Sequence, residues 1–353
     1  MTDLVERSIE IILHYQAPSG AYPACPTFPT YQYSWFRDGA FIAYAMDQVG
    51  ENKSATTFFD WATSVINARE PLIHRALEKV QSGKSLEPGD VLHTRYTVDG
   101  REANEEWPNF QLDGFGTLLW SLEKHVELSQ SPPPESWTKA VSLLTAYLSA
   151  LWLHPCYDCW EELPDKIHTH TLAAIHAGLG ASQTLIDQDQ QATLQLISDY
   201  LNKEALVDGH FVKYSGTDVV DANLLGLVVP YQLYPLDDIR IQRTIALIET
   251  TLQNGGGIHR FSTDTYYGGG EWVLLSAWLG WYYAHCGDRK SALALLEWVE
   301  AQADTQGHLP EQIPATLNDP TMYQPWRDRW GEIASPLLWS HAKYLILSES
   351  LKK

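Results

Sequence analysis

Two acidic clusters stand where acid–base chemistry can be done. One is Tyr157-Asp158-Cys159-Trp160-Glu161-Glu162, and the other is Gly307-His308-Leu309-Pro310-Glu311-Gln312. A carboxyl set against an indole and beside another carboxylate is shifted toward its protonated form, which suits a general acid. A second, ionised carboxylate elsewhere can serve as the base. Each cluster also has a plainer reading. Adjacent carboxylates often form a solvated acidic turn, and a Glu after a Gly/Pro turn is usually just exposed.

Three more clusters put hydrogen bonders among aromatic rings. Tyr31-Gln32-Tyr33-Ser34-Trp35-Phe36-Arg37-Asp38-Gly39 ends one connection, and Trp107-Pro108-Asn109-Phe110-Gln111-Leu112-Asp113-Gly114 ends another. The third runs from Arg260 through Asp264, Tyr266 and Tyr267 to Glu271-Trp272. Flat rings receive the apolar C–H faces of a sugar, and guanidinium, carboxylate and amide groups bind its hydroxyls. Taken alone, Arg37-Asp38 reads as a helix N-cap with a surface ion pair, and Asp113-Gly114 also looks like a cap. The chain holds 14 Trp, 18 Tyr and 9 Phe. That wealth fits a sugar site, but from composition alone an aromatic-packed core is the better explanation.

The elements that position these clusters read as helices. Apolar residues at three- and four-residue spacing mark about twelve, near 3–17, 38–50, 53–69, 113–129, 135–152, 168–182, 188–203, 220–228, 236–253, 270–287, 289–303 and 335–350. Start signals precede the fifth (Ser131-Pro132-Pro133-Pro134-Glu135), the eighth (Asp221-Ala222-Asn223) and the eleventh (Gly287-Asp288). No strand–helix alternation appears, so the expected class is all-α. Long connections near 18–37, 83–112, 153–167, 254–269 and 304–334 are rich in Gly, Pro, aromatics and acids, as functional loops are. No linker or composition shift divides residues 1–353, and a single domain is expected.

A formal net charge of −20 repels nucleic acid and anionic membranes. The first stretch lacks the basic and apolar regions of a signal peptide, and four cysteines are few for a disulfide scaffold, so a reducing cytoplasm is expected. Cys156 and Cys159 have His154 and His168 nearby but no second matched pair. No metal or other cofactor is expected. His341 reads as a packed or capping histidine. Nothing in the sequence specifies an oligomeric state.

In order and spacing, the clusters resemble the glucoamylase family of inverting glycoside hydrolases. The matches are Trp35 to Asp38, Trp107 with Gln111 to Gly114, Asp158 to Glu162, Arg260 with Asp264 to Tyr267, Glu311-Gln312, and Trp339-Ser340 before the last helix. The resemblance implies an (α/α)6 barrel with its site at one end. It implies Glu161 as general acid, Glu311 as general base, and Glu162 on hydroxyls beside the scissile bond. Arg37 and Asp38 would hold the outer hydroxyls of a terminal glucose, Tyr31 would face its ring oxygen, and Arg260 would reach further hydroxyls. Trp35, Trp107 and Trp272 would form walls. Arg37→Ala or Asp38→Ala is expected to weaken binding and leave the fold intact.

Inversion needs one protonated and one ionised carboxyl, so Glu161 should be raised while Glu311 stays ionised. The expected activity is exo-hydrolysis of terminal α-glucosyl linkages in short oligosaccharides, α-1,4 or α-1,6. The family's N-terminal β-sandwich and starch-binding domains are not expected here, and granular starch is therefore not an expected substrate. The aromatic, charged stretch from Tyr323 to Trp330 is suited to capping the leaving-group side. Alternatives of the same fold are a trehalase, a phosphorylase, which would need no general base, and a non-catalytic sugar-binding module, which would be expected to lose a carboxylate.

Overall fold

The computed structural model describes residues 4–103 and 105–353. The expected first residue of the first helix, residue 3, lies outside the described residues. In chain order the helices are α1 (Leu4–Tyr15), α2 (Phe36–Gln48), α3 (Asn52–Asn67), α4 (Glu70–Gln81), α5 (Asp113–Ser129), α6 (Glu135–Leu151) and α7 (Thr169–Ile186). They continue with α8 (Gln191–Glu204), α9 (Ile239–Leu252), α10 (Val273–His285), α11 (Arg289–Glu300), α12 (Tyr323–Trp330) and α13 (Leu338–Ser350).

An inner ring closes through α2, α5, α7, a 3-10 segment at Ala222–Leu227, α10 and α13, which returns to α2. An outer layer backs it: α3 on α2, α6 and α8 on α7, α9 on the 3-10 segment, α11 on α10, and α1 on α13. This is an (α/α)6 barrel. The sequence dictates which helix goes where. Every residue of α10 from Val273 to Tyr282 is buried, as a helix apolar on all sides must be. By contrast α11 buries only Ala292, Leu295 and Val299, a single stripe at three- and four-residue spacing. The inner helices approach closely where glycine allows it. A Cβ on Gly116 of α5 would stand 2.2 Å from the Ala174 carbonyl oxygen of α7.

The start signals act as expected. Asp288 accepts from the Ser291 amide, Asp221 accepts from the Asn223 amide, and α6 begins directly after Pro134. Three details differ from expectation. The eighth stretch is a six-residue 3-10 segment, Ala222–Leu227, shorter than the helix expected over 220–228. Helix α4 was not expected, although Pro71 at its start and Ile73, Ala76, Leu77 and Val80 at helical spacing encode it. Helix α12 falls in a stretch expected to be a connection.

Six long segments, 16–35, 82–112, 152–168, 205–221, 253–272 and 301–337, each lead from the outer layer into an inner helix. They therefore gather at one end of the barrel, where the inner helices begin. The returning connections are mostly short, such as 49–51, 130–134 and 286–288. Two-residue strands stiffen the long segments: β1 (Ser34–Trp35), β2 (Arg95–Tyr96), β3 (Leu206–Val207), β4 (His210–Phe211), β5 (Gln253–Asn254), β6 (Gly257–Ile258), β7 (Glu271–Trp272) and β8 (Gln312–Ile313). β1 pairs with β2 and β3 with β4, and β5 to β8 form one antiparallel sheet in that order. The positive ends of the inner-helix dipoles face this acidic end.

Candidate active site

The loop before α2 delivers Trp35 from β1 and places Arg37 and Asp38 in the first helical turn. Both charged residues are only 5% exposed. Arg37 Nη1 donates to Gln111 Oε1 at 2.9 Å and meets Asp113 Oδ2 at 3.2 Å, and Nη2 lies 3.4 Å from Asp38 Oδ2. This overturns the reading as a cap with a surface ion pair. Asp113 is likewise no cap, since no side chain caps α5 at Leu112 and Asp113 is spent on Arg37. Arg37→Ala, expected to leave the fold intact, would strand two buried carboxylates, a cost of about 3–5 kcal/mol for broken buried pairs.

Glu161 sits at the tip of a tight turn with φ at +68°. A non-glycine residue there costs on the order of 1–2 kcal/mol, so the turn must be held. Asp158 holds it: its Oδ1 accepts from the Trp160 and Glu162 amides at 2.9 Å each, and its carbonyl accepts from the Glu161 amide. Lys213 from the 205–221 segment then clamps Asp158 at 2.8 Å and Asp221 at 2.6 Å. Asp221 in turn accepts from the Trp160 indole at 2.9 Å.

The Glu161 carboxyl accepts from Trp35 Nε1 at 2.6 Å. Burial raises its pKa, while the Trp107 indole, the Arg37 charge, the Trp35 indole and Gln111 hold it down. Glu162 pairs with Arg260 Nη2 at 3.3 Å and is raised by burial. Arg260 also binds Asp264 through Nε at 2.7 Å and through Nη2, which leaves its Nη1 for a ligand. Trp160 and Trp272 flank this guanidinium at 5.4 and 4.9 Å.

Glu311 comes from the segment before α13. Its amide donates to the Ala334 carbonyl, its carbonyl accepts from Val273, and Gln312 pairs with Trp272 in the β7–β8 ladder. Ser340 Oγ ties the start of α13 to the Pro310 carbonyl at 2.8 Å. Glu311 is 3% exposed, and its Oε2 has no hydrogen-bond partner among the described residues. Burial pushes its pKa up to about 8, with Arg260 and the Tyr31 hydroxyl working in the other direction. Glu161 is raised as expected, but Glu311, expected to stay ionised, is raised as well. The reason is local: Glu161 is surrounded by N–H donors, whereas Glu311 has few.

All ten residues singled out from the sequence, Tyr31, Trp35, Arg37, Asp38, Trp107, Glu161, Glu162, Arg260, Trp272 and Glu311, line one pocket of about 440 Å³. Several of its polar atoms are buried without a hydrogen-bond partner among the described residues: Arg37 Nε, Asp38 Oδ2, Trp107 Nε1, Trp272 Nε1, Glu311 Oε2 and Trp339 Nε1. Such orphans are rare in proteins and converge here on a space that a hydroxyl-rich ligand would satisfy. Trp326, Arg329 and Trp330 of α12 complete the wall, and α12 rests on the turn at Tyr266–Gly268. Tyr31 and Tyr266 join hydroxyls at 2.8 Å between these sides.

Sequence reasoning missed Lys213 and read Asp221 only as a helix start, because the 205–221 segment lacks the aromatic cluster that marked the others. It also missed Arg95, which lies in an unremarkable alternating run. His341 is packed as expected: Nδ1 lies 2.9 Å from Ser8 Oγ and Nε2 accepts from the Leu309 amide, with its pKa lowered by burial to about 3. No helix among the described residues is long and apolar enough to cross a membrane.

The model of the family described as glycosyl hydrolases family 15 matches residues 2–349. An isomaltose glucohydrolase of Kribbella flavida is 42% identical over 99% of this chain and 92% of its own length. The structure of a glycosidase variant in complex with glucose is 41% identical, with a TM-score of 0.95 over 99% of this chain and 96% of that one. A bacterial glucoamylase complexed with acarbose shares the fold at 19% identity, with a TM-score of 0.75 over 98% of this chain and 55% of that one.

Proposed function

This chain belongs to glycosyl hydrolase family 15, and on that premise we propose that it cuts single glucose units, with inversion, from short α-1,6-linked glucosides such as isomaltose. It is an exo-acting α-glucosidase. The observation that carries the hydrolytic reading is the pocket in which Glu161 and Glu311, from two different loops, meet the orphaned polar atoms, and the likeness to an isomaltose glucohydrolase supports the α-1,6 preference.

In this reading Glu161 gives its proton to the glycosidic oxygen as the bond from that oxygen to C1 breaks. Glu311, ionised, takes a proton from a water whose oxygen attacks C1 from the opposite face. Glucose leaves as the β anomer, and the two carboxyls end with their protonation exchanged. Hydroxyl and water donors to Glu311 Oε2 lower its proton affinity once sugar is bound, so the base ionises in the complex. Arg37 Nε and Asp38 Oδ2 take the outer hydroxyls of the terminal glucose, with Tyr31 at its ring oxygen. Glu162, set by Arg260, binds hydroxyls beside the scissile bond, and Trp35, Trp107 and Trp272 are the walls. Trp326 and Trp330 close the leaving-group side and favour a disaccharide over a long chain.

The same reading takes residues 1–353 as one catalytic domain. It keeps the enzyme in a reducing compartment, consistent with its unpaired cysteines. Measuring glucose release from isomaltose, panose, maltose and trehalose, with and without phosphate, tests it. Isomaltose should be the best of the four, with no need for phosphate. Preference for trehalose, or glucose 1-phosphate as product, would overturn it.

A further inference from the structure

Arg95 lies outside the pocket wall and is 1% exposed, yet two of the rings it touches, Trp35 and Trp107, lead to Glu161. In the β1–β2 ladder it stands directly opposite Trp35, so their side chains share a face. Its guanidinium carbon lies 3.7 Å from the Trp107 ring centroid, 4.1 Å from that of Tyr33 and 5.5 Å from that of Trp35. The two indoles meet edge to face at 6.1 Å. Nη1 donates to the Thr30 carbonyl at 2.7 Å and Nη2 to Glu105 at 3.1 Å, and Tyr33 anchors the same Glu105 at 2.7 Å. One planar cation thus locks the loop before α2 to the loop before α5.

We propose that Arg95 is a positioning residue for the general acid, clamping the Trp35 and Trp107 indoles so that both N–H groups face the Glu161 carboxyl. Trp35 makes that bond at 2.6 Å, and the Trp107 N–H has no partner elsewhere. A cation over an indole face is attracted to the ring and restrains its orientation. The planar, stacking guanidinium makes this a task for arginine and not for lysine. The charge also reaches the site: Glu161 favours the Arg95 cation, as Arg95 must favour the Glu161 anion. The other groups facing Glu161 are Arg37 and Asp38 of α2, Tyr31 of the first loop, Glu162 in its own turn and Glu311 across the pocket. Of the cations, Arg37 lines the pocket, while Arg95 lies behind the aromatic wall.

This proposal rests on Glu161 being the general acid, and the test separates the two. Turnover of isomaltose and of α-glucosyl fluoride, whose leaving group needs little protonation, is compared for Arg95→Met, Arg95→Lys, Trp107→Phe and Glu161→Gln. Arg95→Met should lose about 10-fold or more on isomaltose but far less on the fluoride, a fraction of the usual worth of acid catalysis. The alkaline limb of its kcat profile should move up by about one pH unit, because a charge that favours the carboxylate is gone. Arg95→Lys should recover only part of the loss. Trp107→Phe should show the same split between substrates, and combined with Arg95→Met it should be less than additive. Equal losses on both substrates with an unmoved alkaline limb would overturn the role of Arg95. If Arg95→Met does not fold, Trp107→Phe decides by the same split. If Glu161→Gln itself gains nothing on the fluoride, the general-acid assignment is what fails.

Discussion

The Trp35 indole nitrogen stands 2.6 Å from Glu161 Oε1, while Oε2 of Glu311 in the same pocket has no hydrogen-bond partner among the described residues. The two carboxyls therefore differ in their protein donors before any sugar arrives. Glu311, with few donors, is pushed up to about 8. Glu161 must be protonated and Glu311 ionised at once, so kcat/KM, which reports the free enzyme, should be bell-shaped with one limb near about 8. In the complex, substrate donors favour the Glu311 anion, so that limb should lie at lower pH in kcat. Limbs of kcat/KM that both fall in the ordinary carboxyl range would contradict this.

The same proton couples to stability. Folded Glu311 holds its proton to about 8, against 4.5 for an unperturbed carboxyl. The raised folded value makes its contribution fully present below the unfolded pKa and lost as pH rises through the folded one. Glu311→Gln has no charge to bury. By calorimetry its Tm should match the parent near pH 4.5 and exceed it by a few degrees near pH 9. A Tm below the parent at pH 9 would show that the carboxylate is better stabilised than its surroundings imply.

Lys213 holds two carboxylates at 2.8 and 2.6 Å, all three groups fully buried. Lys213→Met should destabilise by about 3–5 kcal/mol, as when one partner of a buried ion cluster is removed. Denaturant unfolding measures this, and a loss under about 1 kcal/mol, the worth of an exposed pair, would contradict it. Arg37→Ala should cost a similar amount, by the same reasoning.

Asp38→Asn keeps the shape and removes a charge that burial already raises to about 6. Its fold should persist while kcat/KM falls by about 10-fold or more, as for a hydrogen bond to substrate strengthened by charge. Unchanged kcat/KM would return Asp38 to a purely structural partnership with Arg37.

Much of this was legible in the sequence for a physical reason. Inner helices such as α10 are apolar on every side and outer ones such as α11 on one stripe, so the layering is written in periodicity. The site residues cluster where aromatic rings meet Arg, Asp and Glu just before inner helices. What escaped lacks such marks. Lys213 joins Asp221, eight residues on, to Asp158 in a different loop, and no local pattern announces a three-body pairing. Arg95 finds its role only once β1 and β2 are paired. The proton affinity of Glu311 depends on which atoms surround it, and Pro310 and Gln312 on either side do not reveal that.

Swapping each carboxyl for its amide separates their roles. Glu161→Gln and Glu311→Gln should each lose at least about 10²–10⁴-fold on isomaltose, the usual worth of general acid–base catalysis. Azide should restore activity to Glu311→Gln by replacing the missing base. If folded Glu311→Gln keeps near-normal turnover, water is activated elsewhere.

Inversion requires Glu161 and Glu311 to act on opposite faces of one glucose. Proton NMR of the first glucose released from isomaltose, read before mutarotation scrambles it, distinguishes the two anomers. β-Glucose should be the initial product. Initial α-glucose would mean retention through a covalent intermediate and would contradict the assignment of both residues.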